Sequence, residues 1–234
     1  MSESLEPKVI RHIQREILRR LLLVPEAGFK DIKPAGLESN IFMYHLKTLI
    51  KEGLVEKTEG GYTLTSKGKS FVDRSNLASL KIRVQPKTIT ILAVTNSDGK
   101  QLILERLHQP FINHKGFPSG KIHYGESLTD AANRELLEKA GFKDVALTFR
   151  GNFVMRYFKE DEVVNHIIGY VFSGQVNTME PLNFVTPYFK SYWGDKGELY
   201  VDNRFKGHPE IFELLQKTPS GELFFAEHDF TSDF

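Results

Sequence analysis

The chain has 234 residues, of which 40% are hydrophobic and 26% charged, the balance of a soluble globular protein long enough for two modest domains. It contains 31 Lys and Arg against 30 Asp and Glu, so its net charge of +1 excludes attachment to nucleic acid or membrane by bulk charge alone. The absence of cysteine excludes a disulfide framework, a thiol nucleophile and cysteine-ligated zinc. The polar N-terminus and the short apolar runs predict an intracellular, cytoplasmic protein without a membrane segment.

The charge balance changes along the chain. Residues 1–74 carry 13 basic and 10 acidic side chains, a net of +3, whereas the remainder has a net of −2. A small, polar stretch follows directly after residue 74. We therefore expect a first domain over 1–74, a linker over 75–84 and a second domain over 85–234.

The first domain is predicted to contain three helices followed by a hairpin. Pro7 suits the first turn of a helix that Pro25 ends, with apolar positions at Ile10, Ile13, Ile17 and Leu21. A short helix over 30–35 and a third over 39–52 follow, the third with a buried stripe of Phe42, Leu46, Leu49 and Ile50. The run LVEKTEGGYTLT predicts two strands joined through two glycines. This order is the layout of a winged helix-turn-helix.

The string NIFMYHLKTLIKEGLVEKTEGGYTLTSKG resembles the recognition helix and wing of bacterial winged-helix transcription factors, and the likeness covers about residues 8–73. It implies that the third helix enters the major groove of double-stranded DNA while the wing reaches phosphate. The residues expected to contact DNA are Ser39, Asn40, Tyr44, His45, Lys47, Lys51 and Lys57. The alternatives are an ordinary solvated helix face or a contact that joins two chains as a homodimer.

The second domain is predicted to be α/β. Two strands over 88–94 and 101–107 precede a Gly/Pro-rich loop, and Ser127 caps a helix that runs from Leu128 to Ala140. Strands over 145–158 and 163–174, an irregular aromatic stretch over 176–206 and a helix over 209–216 complete the order. The tail FFAEHDFTSDF is expected to dock onto the domain or a partner subunit through Phe224, Phe225 and Phe230.

The loop and helix of this domain carry a motif with many fixed positions. Residues 120–142 read GKIHYGESLTDAANRELLEKAGF, which resembles the Nudix box, G-x5-E-x7-R-E-U-x-E-E-x-G-U with U apolar. Every fixed position matches except the second Glu of the E-E pair, which is Lys139. The resemblance covers about residues 84–217 and implies the Nudix fold, an α/β fold with a mixed sheet between helices.

The chemistry of the motif follows from its spacing. Glu135 and Glu138 lie three residues apart on one helix, so both carboxylates project from the same face, and a hard cation such as Mg²⁺ or Mn²⁺ would neutralise them. Such a cation would bridge phosphate oxygens and activate a water for attack on phosphorus. Arg134 can hold a glutamate by bidentate pairing, with Glu126 as its partner or as a metal ligand. The turn before the helix is expected to bring the backbone carbonyl of Ser119 to the metal.

The resemblance assigns Glu135 and Glu138 the roles of metal ligand or catalytic base, and Lys139 is the departure from it. The family usually has a metal-ligating carboxylate at that position, so a lysine would weaken cation binding by roughly several kcal/mol. Either the ammonium turns toward solvent or it holds a phosphate in place of a metal. A further carboxylate could complete the site, and the candidates are Glu160, Asp161, Glu162 and Glu180.

The remaining candidates surround the expected cleft. The candidates to stack on a base and pair with phosphate are Arg106, Phe111, Phe117 and Lys121, together with Lys139, although ordinary packing or a surface charge explains each as well. Histidines 108, 114 and 123 fall in one loop region without the spacing of a metal set.

Two functions follow from the sequence. The first is a metal-dependent hydrolase of a nucleoside diphosphate linked to another group, and the alternative is a transcription regulator whose Nudix domain binds a nucleotide or sugar-nucleotide effector without turnover. The intact motif glutamates favour hydrolysis, whereas Lys139 and the DNA-binding half favour sensing. In Nudix-related regulators of NAD metabolism the Nudix domain comes first, so the reversed order here does not transfer their ligand.

Overall fold

The computed structural model describes residues 11–76 and 83–232. The chain divides into two compact units between Val84 and Gln85. Pro7 and Ile10 of the predicted first helix, most of the predicted linker and the last two residues of the tail lie outside the described residues. Within the described ranges, no helix has the length and apolar character needed to cross a membrane.

The first unit contains four helices and a two-stranded antiparallel sheet. They are α1 (His12–Leu22), α2 (Phe29–Ile32), α3 (Ser39–Lys51), β1 (Val55–Lys57), β2 (Tyr62–Leu64) and α4 (Ser66–Asp73). The sequence pattern missed α4, which begins where the Thr65 hydroxyl accepts the N–H of Gly68 at 3.0 Å. Apolar side chains from all six elements form one core that includes Ile17, Leu18, Ile32, Phe42, Leu46, Val55, Leu64 and Phe71.

The buried face of α3 differs from the predicted stripe at two positions. Ile50 is 37% exposed, whereas His45 is buried. The reason is geometric, because residues 42, 45, 46 and 49 follow the spacing of one helical face, while Ile50 lies at its edge. The expectation that His45 contacts DNA is therefore wrong, since its side chain lies against the core.

The second unit is built around a nine-stranded mixed sheet. Its elements in chain order are β3 (Lys87–Thr95), β4 (Gln101–Arg106), β5 (Lys115–Gly116), β6 (Ser119–Lys121), α5 (Leu128–Ala140), β7 (Thr148–Lys159), β8 (Glu162–Gln175), β9 (Phe184–Val185), β10 (Phe189–Gly194), a 3-10 helix (Lys196–Leu199), α6 (His208–Lys217) and β11 (Phe224–Thr231). The strand order is β11-β7-β8-β3-β4-β10-β9, with β5 paired to β4 and β6 paired to β3. β3 runs parallel to β8 and β11 runs parallel to β7, while the other pairs are antiparallel.

Helices cover both faces of this sheet, as the alternating side chains of β3 require. Ile91 and Ala93 join a core that includes Ile211 of α6, whereas Leu92 and Val94 join a core that includes Leu136 of α5. The expected fold, a mixed sheet between helices, is confirmed.

The C-terminal tail docks onto its own domain as the edge strand β11. Phe224 is buried against β7 and Phe230 is half-buried, but Phe225 is 67% exposed. The stretch predicted to be irregular over 176–206 contains β9 and β10, and β10 pairs along the full length of β4.

Candidate active site

Helix α5 places the motif residues at the edge of the sheet. The Ser127 hydroxyl accepts the N–H of Asp130 at 3.1 Å at its start, and Gly141 ends it with a φ of 76°. Ala132, Leu136 and Ala140 face the sheet, so the intervening glutamates and Lys139 lie on the flank of the helix. The loop before α5 contains β6, which brings Gly120 against this flank.

Arg134 binds both glutamates that frame the motif. Its Nε and Nη2 donate to Glu126 at 2.7 and 2.9 Å, and Nη1 donates to Glu135 Oε1 at 2.6 Å. A further bond of 3.0 Å reaches the carbonyl of Lys121. Hydrogen bonds from Arg134 lower the pKa of Glu126 to about 2, and the bond to Glu126 raises the pKa of Arg134. This cluster ties the loop to the helix, and the expected bidentate partner of Arg134 is Glu126.

The second carboxylate oxygen of Glu135 has a different environment. Its Oε2 is buried and accepts no hydrogen bond from any residue that the structure describes. A side chain at position 120 would place its Cβ on this carboxylate, so only glycine leaves room for it. The motif glycine therefore leaves room for a buried carboxylate, one oxygen of which accepts no hydrogen bond from the described residues.

Glu138 and Lys139 lie beside this oxygen. The Glu138 side chain is 52% exposed, and its Oε2 is 3.5 Å from the same Arg134 nitrogen that binds Glu135. The Lys139 ammonium is 4.0 Å from Glu135 Oε2 and lies 4.4 Å from the centre of the Phe189 ring. Lys139 therefore does not turn toward solvent, because its charge is held between a carboxylate and an aromatic ring.

A cleft of about 460 Å³ opens beside these residues, and no Asp or Glu is among its lining residues. The lining includes six cationic side chains, those of Lys87, Arg106, Lys121, Lys139, Arg204 and Lys206. Arg106 has a buried Nε without a hydrogen-bond partner among the described residues, and burial lowers its pKa. Such a lining favours a ligand that carries several negative charges.

The structure brings Ser119, Arg106, Lys121 and Lys139 to this cleft, but not Phe117. Phe117 is fully buried in the core against Phe153 and Ile91, so its expected role in stacking on a base is wrong. Phe117 lies in the bend between β5 and β6, and this bend turns its ring into the core. Its backbone N–H instead donates to His208 Nδ1 at 2.9 Å.

Two cleft residues have no counterpart among the sequence candidates. His208, at the start of α6, and Asn165, in β8, are both buried and both line the cleft. Neither residue lies in a recognisable sequence motif. Both reach the cleft only through the packing of the sheet and α6 in the folded domain. In contrast, the proposed additional carboxylates are not brought to the site. The residues over 11–76 and 83–232 contain no cluster of three potential acidic or histidine metal ligands.

The residues expected to contact DNA belong to the first unit. Apart from His45, they are exposed: Ser39, Asn40, Tyr44, Lys47 and Lys51 on α3, and Lys57 on β1. Tyr44 is 60% exposed, which is high for an aromatic side chain on a helix.

Comparison with known proteins places this geometry in a family. The family model described as the NUDIX domain matches residues 84–217, which is more than half of the chain. The chain belongs to the Nudix family. Family membership supports the class of enzyme predicted from the motif, a phosphoanhydride hydrolase.

The comparisons also identify individual proteins to which the chain is similar. An RNA pyrophosphohydrolase from Bartonella henselae is 27% identical over 164 residues, covering 65% of this chain and 88% of the relative. Among solved structures, the mutator protein MutT from Bacillus halodurans is 25% identical, with a TM-score of 0.52, and the match covers 63% of this chain and 92% of that one. The NUDIX domain of NrtR from Shewanella oneidensis, solved with ADP-ribose, is 14% identical, with a TM-score of 0.49 and coverage of 66% and 98%.

Nudix hydrolases generally use divalent cations. The residues present fit one such ion, although with fewer acidic ligands than the Nudix box usually supplies. The unpaired Glu135 Oε2 is a buried oxygen donor, and the Glu138 carboxylate contacts the same guanidinium nitrogen as Glu135, so the two acidic groups are neighbours. Ser119 lines the adjacent cleft. Lys139 replaces the last of the four acidic residues of the Nudix box, so the chain retains the donors for a cation but adds a competing positive charge.

Proposed function

We propose that this Nudix protein hydrolyses a phosphoanhydride bond in a nucleoside diphosphate linked to another group. The observation that supports the proposal is the Glu135 carboxylate, buried, held in place by Arg134, and left with one unpaired oxygen beside a cleft lined by cations. The related RNA pyrophosphohydrolase adds RNA with terminal phosphates to the substrates worth testing.

Each site residue has a role in this proposal. A divalent cation held by Glu135 and Glu138 would neutralise phosphate charge and lower the pKa of a bound water. Arg106, Lys121 and Lys139 bind the phosphate oxygens and balance the charge that develops as the bond breaks. Water forms the new bond to phosphorus, its proton passes to a motif carboxylate, and the second phosphate leaves with the bridging oxygen. Arg134 is a positioning residue, because it acts by holding Glu126 and Glu135.

Mass-spectrometric product analysis tests the proposal. The purified protein is incubated with Mg²⁺ or Mn²⁺ and a panel that contains ADP-ribose, NADH, nucleotide sugars, nucleoside triphosphates and RNA with a terminal triphosphate. We expect metal-dependent cleavage of at least one member and a loss of at least 1,000-fold in Glu135→Gln. The matched control is Glu227→Gln, which changes an exposed glutamate on β11 outside the cleft and should leave turnover unchanged.

Cleavage that survives in Glu135→Gln would show that the site lies elsewhere. Binding of a panel member without turnover would favour the alternative function, in which the Nudix domain is the sensor of a transcription regulator. Lys139 supports that alternative, because its ammonium lies 4.0 Å from the carboxylate that a cation would need.

We further propose that the first unit is a winged helix that binds double-stranded DNA, as a monomer or as a homodimer. The supporting observation is that α3 presents exposed polar and basic residues on the face opposite the core, while Lys57 is exposed on the adjoining hairpin. Lysines at these positions would contribute mainly by neutralising phosphates, so affinity should fall steeply with salt.

Fluorescence anisotropy with DNA from upstream of the chain's own operon tests this second proposal. We expect binding at low salt, and we expect Lys47→Ala together with Lys51→Ala to reduce the salt dependence by about two phosphate contacts. Lys100→Ala is the control, because this exposed lysine belongs to the second unit. Equal binding by the double variant and the control would remove α3 from the DNA interface, and no binding at low salt would refute DNA binding.

A further inference from the structure

Two buried polar side chains line the cleft, and their protein partners fix which of their atoms donate and which accept hydrogen bonds. Asn165 is 8% exposed and His208 is 4% exposed, and both line the cleft. Neither is part of the Nudix box, and neither is used in the hydrolysis proposed above. Their orientation can be assigned without observing hydrogen atoms, because each has a partner that can only donate.

The orientation of the Asn165 amide follows from its contact with Lys87. The Lys87 ammonium donates to Asn165 Oδ1 at 2.9 Å, and an ammonium has no acceptor, so the oxygen must face it. The amide nitrogen therefore keeps its two N–H groups for another partner. Asn165 can therefore offer a ligand in the cleft two N–H donors.

The tautomer of His208 follows in the same way. The backbone N–H of Phe117 donates to Nδ1 at 2.9 Å, so Nδ1 carries no proton and Nε2 carries one. Burial lowers the pKa of His208 to about 3, which keeps the ring neutral near pH 7. No described residue accepts a hydrogen bond from Nε2. His208 is thus a second fixed hydrogen-bond donor among the residues that line the cleft.

Asn165 lies away from the motif residues, whereas His208 is bonded to the backbone of Phe117 in the segment that leads to the motif glycine. Asn165 belongs to β8 and Gly120 to β6, and these strands pair with opposite edges of β3. Aromatic rings accompany the two donors, since the Phe205 ring lies 5.5 Å from that of His208 and Tyr157 pairs with Asn165 across the strands. The Tyr157 hydroxyl is already engaged with the carbonyl of Lys206 at 2.9 Å. Planar rings beside fixed hydrogen-bond donors are the surroundings that a nucleobase requires.

We propose that Asn165 and His208 select a nucleobase with a carbonyl oxygen at purine position 6 or pyrimidine position 4, as in guanine, hypoxanthine and uracil, over adenine and cytosine. Adenine and cytosine carry an amino group at that position, and a donor facing a donor leaves both without a partner in a buried site. The inference rests on the proposed function, because it takes a nucleotide as the ligand. The phosphates would lie near the motif residues, and the base would lie near Asn165 and His208. It adds the class of base, which the Nudix motif does not specify.

Calorimetric titration with two matched ligands tests the inference. The α,β-methylene analogues of IDP and ADP carry the same phosphates in a form that cannot be hydrolysed, and at position 6 one base has an oxygen where the other has an amino group. With Mg²⁺ present, we expect the inosine analogue to bind the full-length protein at least tenfold more tightly. Equal affinities, or tighter binding of the adenosine analogue, would overturn the inference and leave the proposed hydrolase intact. If neither analogue binds, the inference fails together with the nucleotide ligand of the proposed function.

A variant assigns the preference to Asn165. Asn165→Asp keeps an oxygen for Lys87 but removes the amide donors, so the ratio of the two affinities should fall below threefold even if both ligands bind more weakly. Asn177→Asp introduces the same change at an exposed position outside the cleft and should keep the tenfold ratio. An unchanged ratio in Asn165→Asp would exclude Asn165 as the selecting group.

Nitrogen-15 NMR of histidine-labelled protein tests His208 without a substitution. We expect one ring to stay neutral from pH 5 to 8 with the proton on Nε2, and its Nε2–H signal to shift on addition of the inosine analogue but much less with the adenosine analogue. Protonation of His208 in this pH range, or identical shifts with both ligands, would overturn its assigned role.

Discussion

Two groups of charges on one flank of helix α5 are in different situations. In the first group, Arg134 makes four hydrogen bonds to Glu126, Glu135 and the Lys121 carbonyl, so its charge is balanced within the protein. In the second group, Glu135 Oε2 accepts no hydrogen bond from the described residues, Glu138 is half exposed at 3.5 Å from Arg134, and Lys139 approaches Glu135 no closer than 4.0 Å. One helix thus carries a closed structural cluster and an open set of charges.

The difference separates residues that shape the site from residues that meet a ligand. A cluster that satisfies its own hydrogen bonds stabilises one loop conformation and has little left to offer a substrate. An unpaired buried oxygen costs stability unless a ligand uses it, which is why such groups are concentrated at functional sites. Substitutions in the two groups should therefore have different effects. Changes in the Arg134 cluster should affect stability, whereas changes at Glu138 or Lys139 should affect ligand binding.

The largest effect is expected from Arg134→Ala. Removing the guanidinium leaves the buried Glu135 carboxylate without its strongest partner, so the free energy of unfolding of the second unit should fall by about 3 kcal/mol. Urea unfolding followed by tryptophan fluorescence measures it, because the single tryptophan, Trp193, lies in β10 of that unit. Arg156→Ala is the control, since its exposed pair with Asp229 should contribute less than about 1 kcal/mol. Equal losses in both variants would show that the Arg134 cluster is no more stabilising than a surface ion pair.

A smaller effect, on cation affinity, is expected from Lys139→Glu. The substitution exchanges a positive charge for a third acidic ligand beside Glu135, so Mn²⁺ should bind at least tenfold more tightly. Electron paramagnetic resonance of free Mn²⁺ measures the affinity without relying on turnover. Lys143→Glu makes the same change of charge at an exposed position just beyond the helix and should alter the affinity by less than twofold. If the two variants behave alike, Lys139 has no specific influence on a cation site.

The smallest effect concerns pH and the closed cluster. Hydrogen bonds from Arg134 lower the pKa of Glu126 from 4.5 to about 2, so the unfolded state binds this proton first as pH falls. The stabilisation from Glu126 is therefore present above pH 4.5 and is lost as pH falls toward 2. Glu126→Gln should flatten the pH dependence of the free energy of unfolding in this window. His208, whose lowered pKa produces a loss of the same sign below pH 6.5, is present in both proteins and cancels in the comparison. A profile that Glu126→Gln leaves unchanged would contradict the assigned role of the ion pair.

Local patterns determined much of the fold. The sequence predicts the helix from Leu128 to Ala140 with both ends correct, because its cap and terminal glycine are local signals. The strands β7 and β8 and the helix α6 also follow from alternation or helical spacing within a few residues. The helix α4 was missed, since it is short and its stability depends on packing against the rest of the first unit.

Burial could be inferred only approximately, because it depends on what packs against each face. His45 and Phe117 have polar or aromatic side chains that suit a binding site, and the sequence pattern assigned both to one. In the structure both are buried, because His45 lies on the inward face of α3 and the bend between β5 and β6 turns Phe117 inward. Exposure is a property of the packed domain and cannot be deduced from residue type.

The sequence by itself determined the family, the motif residues and the anomalous Lys139, because a motif with fixed spacing on one helix is a local feature of the chain. Only the tertiary structure decided that Lys139 lies against Phe189, that Glu135 Oε2 accepts no hydrogen bond from the described residues, and that Asn165 and His208 both line the cleft. The physical reason is separation along the chain. Asn165 and His208 are brought together by sheet and helix packing, and their hydrogen-bonding capacity is set by Lys87 and Phe117, which no local pattern connects to them.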